Sequence, residues 1–294
     1  MKKENKSPLV TAVMPVYNHE KYVAEAIKSV INQDYENIEF IIINDGSTDN
    51  THDVIMSFIN ECKNRFVRFE YRNRENRGTA ATLNEMLDWA KSKYFTQIDA
   101  DDIMLPDKVS LLVNELENLD DSYAVAFGDN SFIDENSNKI YLEFGTWRTI
   151  SAEKRTNSFL EFHTYGRNIN YRDKEVFGSY KTLLAGNYLP ANGYLAKTEK
   201  IKEVGGWSDW NTIEDWELWL RLAKKYKFAY VDKVVALYRM HTNKKSIEKR
   251  KRILYDILKI LNKEKEYAFS NGFGDIWQFH YRLIKKILVM EGHI

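Results

Sequence analysis

Tyr94-Phe95-Thr96-Gln97-Ile98-Asp99-Ala100-Asp101-Asp102 is an apolar run that stops at three carboxylates within four residues. Charges of one sign this close raise one another's pKa and repel. A fold keeps such a cluster where a cation sits, or where the loop is merely solvated. A divalent metal holding a substrate phosphate is the first reading, and a solvated acidic loop is the second. The segments on either side decide between them.

Upstream, Leu9 to Met14 reads as a buried strand ended by Pro15. His19 to Gln33 carries Tyr22, Val23, Ala26, Ile27, Val30 and Ile31 at helical spacing. Ile38 to Ile43 is a second buried strand, broken by Asn44-Asp45-Gly46-Ser47-Thr48-Asp49, and Asn50 to Cys62 reads as a helix. Phe66 to Tyr71 is a weaker third strand, and Gly78 opens a helix over Thr79 to Ala90. Downstream, Pro106 starts a helix reaching Leu119, and Tyr123 to Phe127 is a fifth strand. Strands alternating with helices predict an α/β fold, a mostly parallel sheet with helices on both faces. Ligands of such sheets bind beyond the carboxyl ends of the strands. Pro15-Val16-Tyr17-Asn18, Asn44-Asp45-Gly46-Ser47 and Asp99-Ala100-Asp101-Asp102 therefore share one rim.

The alternation stops after about Phe132. Asp129 to Leu142 reads as a hairpin around Asp134-Glu135-Asn136-Ser137-Asn138. Gly145 to Asn187 is irregular and rich in rings, from Trp147 through Phe159, Phe162, Tyr165, Tyr171, Phe177 and Tyr180, and is where acceptor contacts are expected. Tyr188 to Ala196 reads as a strand and Thr198 to Val204 as a short helix before Gly205-Gly206-Trp207. Ile213 to Tyr226 is a helix that opens with Glu214-Asp215, and Val234 to Met240 is a last strand ending at His241.

Composition excludes several classes. The 294 residues carry 43 basic and 43 acidic side chains, so no overall field favours nucleic acid. The single cysteine, Cys62, rules out a disulfide framework within the chain and fits a reducing compartment. Neither a signal-type apolar region nor a bilayer-length run is present, so the expectation is a cytoplasmic protein. The Gly-x-Gly-x-x-Gly and Gly-x-x-x-x-Gly-Lys phosphate loops are absent, which leaves a metal and side chains to hold a phosphate.

Val10 to Asn18, Ile41 to Asp49, Asn76-Arg77-Gly78 and Asp99-Ala100-Asp101-Asp102, in that order, resemble the family 2 glycosyltransferases, and the likeness runs to about His241. It implies a GT-A fold and inverting transfer from a nucleotide diphosphate sugar, most often UDP-linked, to a hydroxyl of a glycan or lipid-linked oligosaccharide in bacterial surface polysaccharide assembly. By the same resemblance Pro15, Tyr17 and Asn18 line the nucleotide pocket, and Asp45 meets the base or ribose. Arg77 reaches the diphosphate. Asp99-Ala100-Asp101 is the DxD: Asp101 binds Mn²⁺ or Mg²⁺ and Asp99 meets ribose or a metal-bound water. His241 matches a position that supplies a further metal ligand in some members. Glu214-Asp215 is the acidic pair, with Asp215 as general base. Many members have a second acid where this chain has Asn44. The alternatives are a sugar nucleotidyltransferase and a non-catalytic nucleotide-sugar-binding scaffold.

The expected organisation is a catalytic domain over residues 1–243, with nucleotide-sugar half 1–130 and acceptor half 131–243, followed by a helical extension over 244–294. Lys244 to Arg252 holds six basic residues and one acidic residue. Ile276, Phe279, Leu283, Ile287 and Met290 share one helix face, with Arg282, Lys285 and Lys286 off it. This face either packs on the catalytic domain, which the modest basic count favours, or lies on the anionic inner face of the cell membrane.

Overall fold

The computed structural model describes residues 7–144, 155–209, 212–241 and 247–292. Trp147, the expected boundary at 243–244 and the first basic residues of the tail lie outside them.

Along the first half run β1 (Val10–Val16), α1 (Val23–Ile31), β2 (Ile38–Asp45), α2 (Thr51–Ser57), α3 (Ile59–Arg65), β3 (Arg68–Arg74), α4 (Thr79–Trp89), β4 (Tyr94–Gln97), β5 (Ile103–Met104) and α5 (Lys108–Glu117). The helix expected over Asn50 to Cys62 is two. The Phe58 amide closes α2 on Ile55 at 2.9 Å, one residue short of α-helical spacing, and α3 restarts from there with Cys62 inward.

The second half has β6 (Tyr123–Ile133), β7 (Leu142–Glu143), β8 (Arg155–Thr156), α6 (Phe159–Thr164), α7 (Tyr180–Leu184), β9 (Tyr194–Lys197), α8 (Thr198–Glu203), α9 (Glu214–Ala223) and β10 (Lys227–Arg239). The hairpin turn falls at Asp134 to Asn138 as expected, where Asp134 Oδ1 accepts from the Asn136 and Asn138 amides. Its first arm is the far end of β6, six residues longer than the sequence suggests. Asp129 and Asn130, expected to open the hairpin, are buried inside this strand. Asp129 is satisfied there by Ser158 Oγ and the Leu160 amide, so it anchors the start of α6.

The sheet order is β3-β2-β1-β4-β9-β6-β10-β5. β3, β2, β1 and β4 are mutually parallel. β9 enters antiparallel to both β4 and β6, and β5 is an antiparallel edge on β10. The result is a mostly parallel central sheet with helices on both faces, the GT-A architecture.

Side chains alternate across that sheet. Ile41 and Ile43 of β2 face one core with α4, α7 and α9, while Phe40 and Ile42 face the other with α1 and α5. The aromatic excess is mostly core. Phe127 packs within about 6 Å of Phe177, Tyr194, Trp219 and Phe228. Phe159, Phe162, Tyr171, Phe177 and Tyr180, expected near an acceptor, are buried, whereas Tyr165 is exposed.

The chain ends in a helical hairpin, α10 (Ile247–Ser270) and α11 (Gly274–Met290). It shares the core of α7 and α9 through Leu254, Leu258, Leu261, Trp277, Ile284 and Leu288. The packed face of α11 is thus the one through Trp277, His280, Ile284 and Leu288. Of the face expected to pack, Ile276 and Ile287 are half-buried against this core, while Phe279, Leu283 and Met290 are exposed. Among the described residues no helix is long and apolar enough to cross a membrane.

A buried carboxylate ties the hairpin down. Glu217 of α9 is fully buried and accepts from Arg221, Ser208 and, across from α10, Lys263 at 2.6 Å. Removing the acid takes from Arg221 and Lys263 the one carboxylate they share. Glu217→Ala is expected to lower stability by about 3 kcal/mol, read as a fall in the urea midpoint. A midpoint equal to the wild type would show that the pair does not hold the hairpin.

Candidate active site

The chain order of the parallel strands reverses between β1 and β4, and a crevice opens there beyond their carboxyl ends. It is a cleft of about 520 Å³. Pro15, Tyr17 and Asp45 line it from the ends of β1 and β2, Asp99, Ala100 and Asp101 from the end of β4, and Trp207, Glu214 and Asp215 from the segment leading into α9.

Local chemistry explains each placement. Val13 accepts from the Ile98 amide at 3.0 Å, so its hydrogen-bonding edge faces β4. Pro15, two residues on, presents the same edge past the end of β4, where its missing N–H costs no bond. Tyr17 is 49% exposed and is not a core ring. Asn18 has φ 56°, and its Oδ1 accepts from the Thr48 amide at 2.8 Å, which ties the β1 and β2 loops together. Asp49 caps α2 through the Thr51 amide.

Asp45 is a brace as well as a cleft residue. Its carboxylate pairs with Arg74 and accepts from the Arg77 and Gly78 amides, each at 2.9 Å. Gly46 turns beside it at φ 76°, where a Cβ would sit 2.7 Å from the Asn76 amide nitrogen. Arg77 thus meets the site through its backbone, and its side chain does not line the cleft.

The three carboxylates after β4 part company. Asp102 is buried, bound by the Asn192 amide group and by the Arg239 backbone N–H at 2.7 Å. Burial, with Asp101 and Asp99 nearby, pushes its pKa far up. Asp99 accepts from Gln97 Nε2 at 2.7 Å, and burial followed by the Asp101 charge raises it to about 6. Asp101 meets His241 Nε2 at 2.7 Å. Burial pushes Asp101 up, but the bond to His241 and the charges of His19 and His241 outweigh it and hold the carboxyl below its usual value. The same bond raises His241.

Sequence reasoning missed the residues that hold this loop. Lys108 is fully buried and donates to the Gln97 and Asn192 carbonyls at 3.1 and 2.6 Å, and burial lowers it to about 7. Arg239 is buried too, and binds the Asp101 carbonyl, the Asp134 carbonyl, Ser137 and Glu25. Its place two residues before His241 was the one available signal.

At the start of α9, Asn187 Nδ2 donates to Asp215 Oδ2 at 3.1 Å. Burial raises Asp215, and the Trp216 amide and Asn187 pull it back. Glu214 rises to about 7 through burial and then through the Asp215 charge. Trp216 itself points away, donating to the Leu183 carbonyl at 2.8 Å.

The site residues named from the sequence therefore fall into two groups. Pro15, Tyr17, Asp45, Asp99, Ala100, Asp101, Glu214 and Asp215 line the cleft, while Asn18, Arg77 and His241 do not, although His241 bonds to Asp101 and the Arg77 amide to Asp45. Among the described residues no three His, Cys, Asp or Glu side chains gather at metal-ligand spacing. Asp101 and His241 form a two-donor pair, and a hard cation fits one or two such donors when substrate oxygens and water complete its shell.

The family model "Glycosyl transferase family 2" matches residues 11–180, more than half of the chain. The chain belongs to glycosyltransferase family 2. An uncharacterized glycosyltransferase of Rickettsia prowazekii is 36% identical over 141 residues, covering 48% of this chain and 42% of its own length. The chain thus spans less than half of that relative. Among solved structures, a mannosyltransferase of Pyrobaculum calidifontis in complex with GDP-Man and Mn²⁺ superposes with a TM-score of 0.62 at 16% identity, over 97% of this chain and 75% of that one. TarS of S. aureus with UDP gives 0.56 at 15% identity, over 86% and 65%. At these identities the structural likeness is one of fold.

The raised carboxyls of this family 2 cleft have a consequence for stability. The folded pKa of Glu214 exceeds its ordinary 4.5, so its stabilising form is the protonated one. That contribution is complete below the unfolded value and is lost as pH rises through about 7. Glu214→Gln is expected to gain on the order of 1 kcal/mol near pH 8, about 2–4 °C in Tm, and nothing near pH 4. Melting curves at both pH values with the same offset between variant and wild type would contradict this.

Proposed function

We propose that this chain is an inverting, metal-dependent glycosyltransferase of hexosyltransferase type. The donor is a nucleotide diphosphate sugar, with UDP the nucleotide to test first. The acceptor is a hydroxyl of a glycan or lipid-linked oligosaccharide, in the setting of bacterial surface polysaccharide assembly. One observation carries the reading: the carboxylates after β4 and the acidic pair opening α9 face a single cleft at the sheet's switch point. An in-line displacement needs one group for the leaving diphosphate and another for the attacking hydroxyl, and this cleft offers acids from two separate elements for those roles.

Pro15 and Tyr17 take the nucleoside, with the Tyr17 ring against the base. Asp45 Oδ2 has one partner, Gly78, and keeps a lone pair for the base or ribose. Asp99 orients ribose or a water. Asp101 and His241 hold Mn²⁺ or Mg²⁺, and the bound ion supplies charge stabilisation for the departing diphosphate. Asp215 accepts the proton of the acceptor hydroxyl, whose oxygen bonds to the anomeric carbon as the bond from that carbon to the diphosphate oxygen breaks. A single displacement inverts the centre. Glu214 shares the charge of the pair, and its raised pKa lets it stay neutral while Asp215 ionises.

The two fold neighbours support a diphosphate nucleotide, since one was solved with GDP-Man and Mn²⁺ and the other with UDP. Thermal-shift measurements with UDP- and GDP-sugars, with and without Mn²⁺, are expected to give a Tm rise with one nucleotide only when metal is present. No rise with any nucleotide sugar would remove the reading.

Two further outcomes test the roles. Asp101→Ala and Asp215→Asn should each lower transfer roughly 10²–10⁴-fold with the fold intact by circular dichroism. Transfer should fall with acid as Asp215 protonates, at a pH above the ordinary carboxylate range. Asn187→Ala removes a donor to the charged form, so the acid limb should move to higher pH. An acid limb that stays put would mean that Asp215 is not the group titrating in kcat/KM.

A further inference from the structure

We propose that the outer face of α11 docks this protein on an anionic lipid surface, with the helix lying in the plane of the interface. α11 is apolar on two sides. Trp277, His280, Ile284 and Leu288 are buried against the body of the protein. On the other side Phe279, Leu283 and Met290 follow one another at helical spacing and are 71%, 43% and 67% exposed, with Val289 beside them at 59%. Soluble surfaces rarely spend a row of three large apolar side chains on one helix face.

The charges around this stripe choose its occupant. Arg282 and Lys286 share a groove with Phe279 and Leu283, Lys285 lies further round the helix, and one exposed acid, Asp275, stands at the groove's N-terminal end, so the face carries more basic than acidic side chains. Among the described residues none of the three makes an ion pair, whereas Glu291, the acid at the helix end, is taken by Arg250. An apolar ridge edged by unpaired cations suits acyl chains beneath anionic headgroups. A second copy fits poorly. One helix face is small beside the roughly 800 Å² per partner of a stable interface.

The inner side of the same helix reaches the cleft's frame. His280 Nδ1 lies 2.8 Å from the Leu184 carbonyl, and its ring is 5.7 Å from that of Trp216, next to Asp215. A surface held by α11 is therefore one packed layer from the segment that carries Asp215. The docking itself requires no transfer chemistry and stands or falls apart from the reaction proposed above.

The test is cosedimentation of the full chain with vesicles of phosphatidylcholine alone or of equimolar phosphatidylcholine and phosphatidylglycerol. The wild type is expected to pellet with the anionic vesicles only, and less so as salt is raised. Phe279→Asp with Leu283→Asp should abolish binding. Arg282→Gln with Lys286→Gln should weaken it about fivefold per charge removed. All four side chains are exposed, so both double variants should keep the wild-type Tm, and the charge pair still decides the matter if the apolar pair fails to fold. Wild type left in the supernatant, equal binding to both vesicles, or binding indifferent to these substitutions would overturn the proposal. So would a wild-type dimer in sedimentation velocity that Phe279→Asp disperses.

Discussion

Carboxylates crowded into a cleft without a matching cation set the terms for the rest of this fold. Two like charges a few ångströms apart at the edge of a protein cost on the order of 4 kcal/mol at an effective dielectric near 20. The chain answers for some of its acids internally. Asp45 has Arg74, and Asp102 has Asn192 and the Arg239 amide. Asp99, Asp101, Glu214 and Asp215 remain facing the cleft, whose described lining contains no Lys or Arg. Burial then pushes Asp99, Glu214 and Asp215 toward their neutral forms, while Asp101 is kept charged by imidazole. A site in this state gains most from a ligand that brings positive charge, and least from a bare anion.

The loop that carries these acids is held from beneath by cations that never reach the cleft. Lys108 joins the end of β4 to the turn before β9 by donating to one carbonyl of each. Arg239 joins the same loop to the end of β10, to the turn at Asp134–Ser137 and to Glu25 of α1. This is why His241 reaches Asp101 across 140 residues of sequence. Burying such polar groups is costly unless carbonyls and carboxylates meet their donors, as they do here. The rigidity of the acidic rim and its electrostatic strain thus have a common origin.

How much of this was legible follows from which signals are local. Strand ends are local, and the switch-point rule turned three polar clusters into one rim without any structure. Strand direction is not local. Tyr188 to Ala196 reads as a strand in either sense; only Tyr194–Lys197 is one, and the pairing of Ala196 with Phe95 and Val125 shows it running against both neighbours. The brace residues were invisible for a similar reason. Lys108 looks like an ordinary first-turn lysine after Pro106-Asp107, and Asn187 and Asn192 look like turn formers. Their partners lie 84, 28 and 90 residues away. The α11 face was misjudged because periodicity finds apolar stripes but cannot say which of two stripes meets the core.

That second stripe changes the meaning of the C-terminal hairpin. A helix appended only for packing needs one apolar face, and α11 meets that need with Trp277, His280, Ile284 and Leu288. Through His280 it touches the Leu184 carbonyl, and Trp216 holds the adjacent Leu183 carbonyl. Three residues on, Asn187 binds Asp215. The hairpin is therefore part of the frame that sets where the Asp215 carboxylate points, although the family match ends at residue 180. His280, the Leu183 and Leu184 carbonyls, Trp216 and Asn187 thus form one connected set of contacts between α11 and the Asp215 carboxylate.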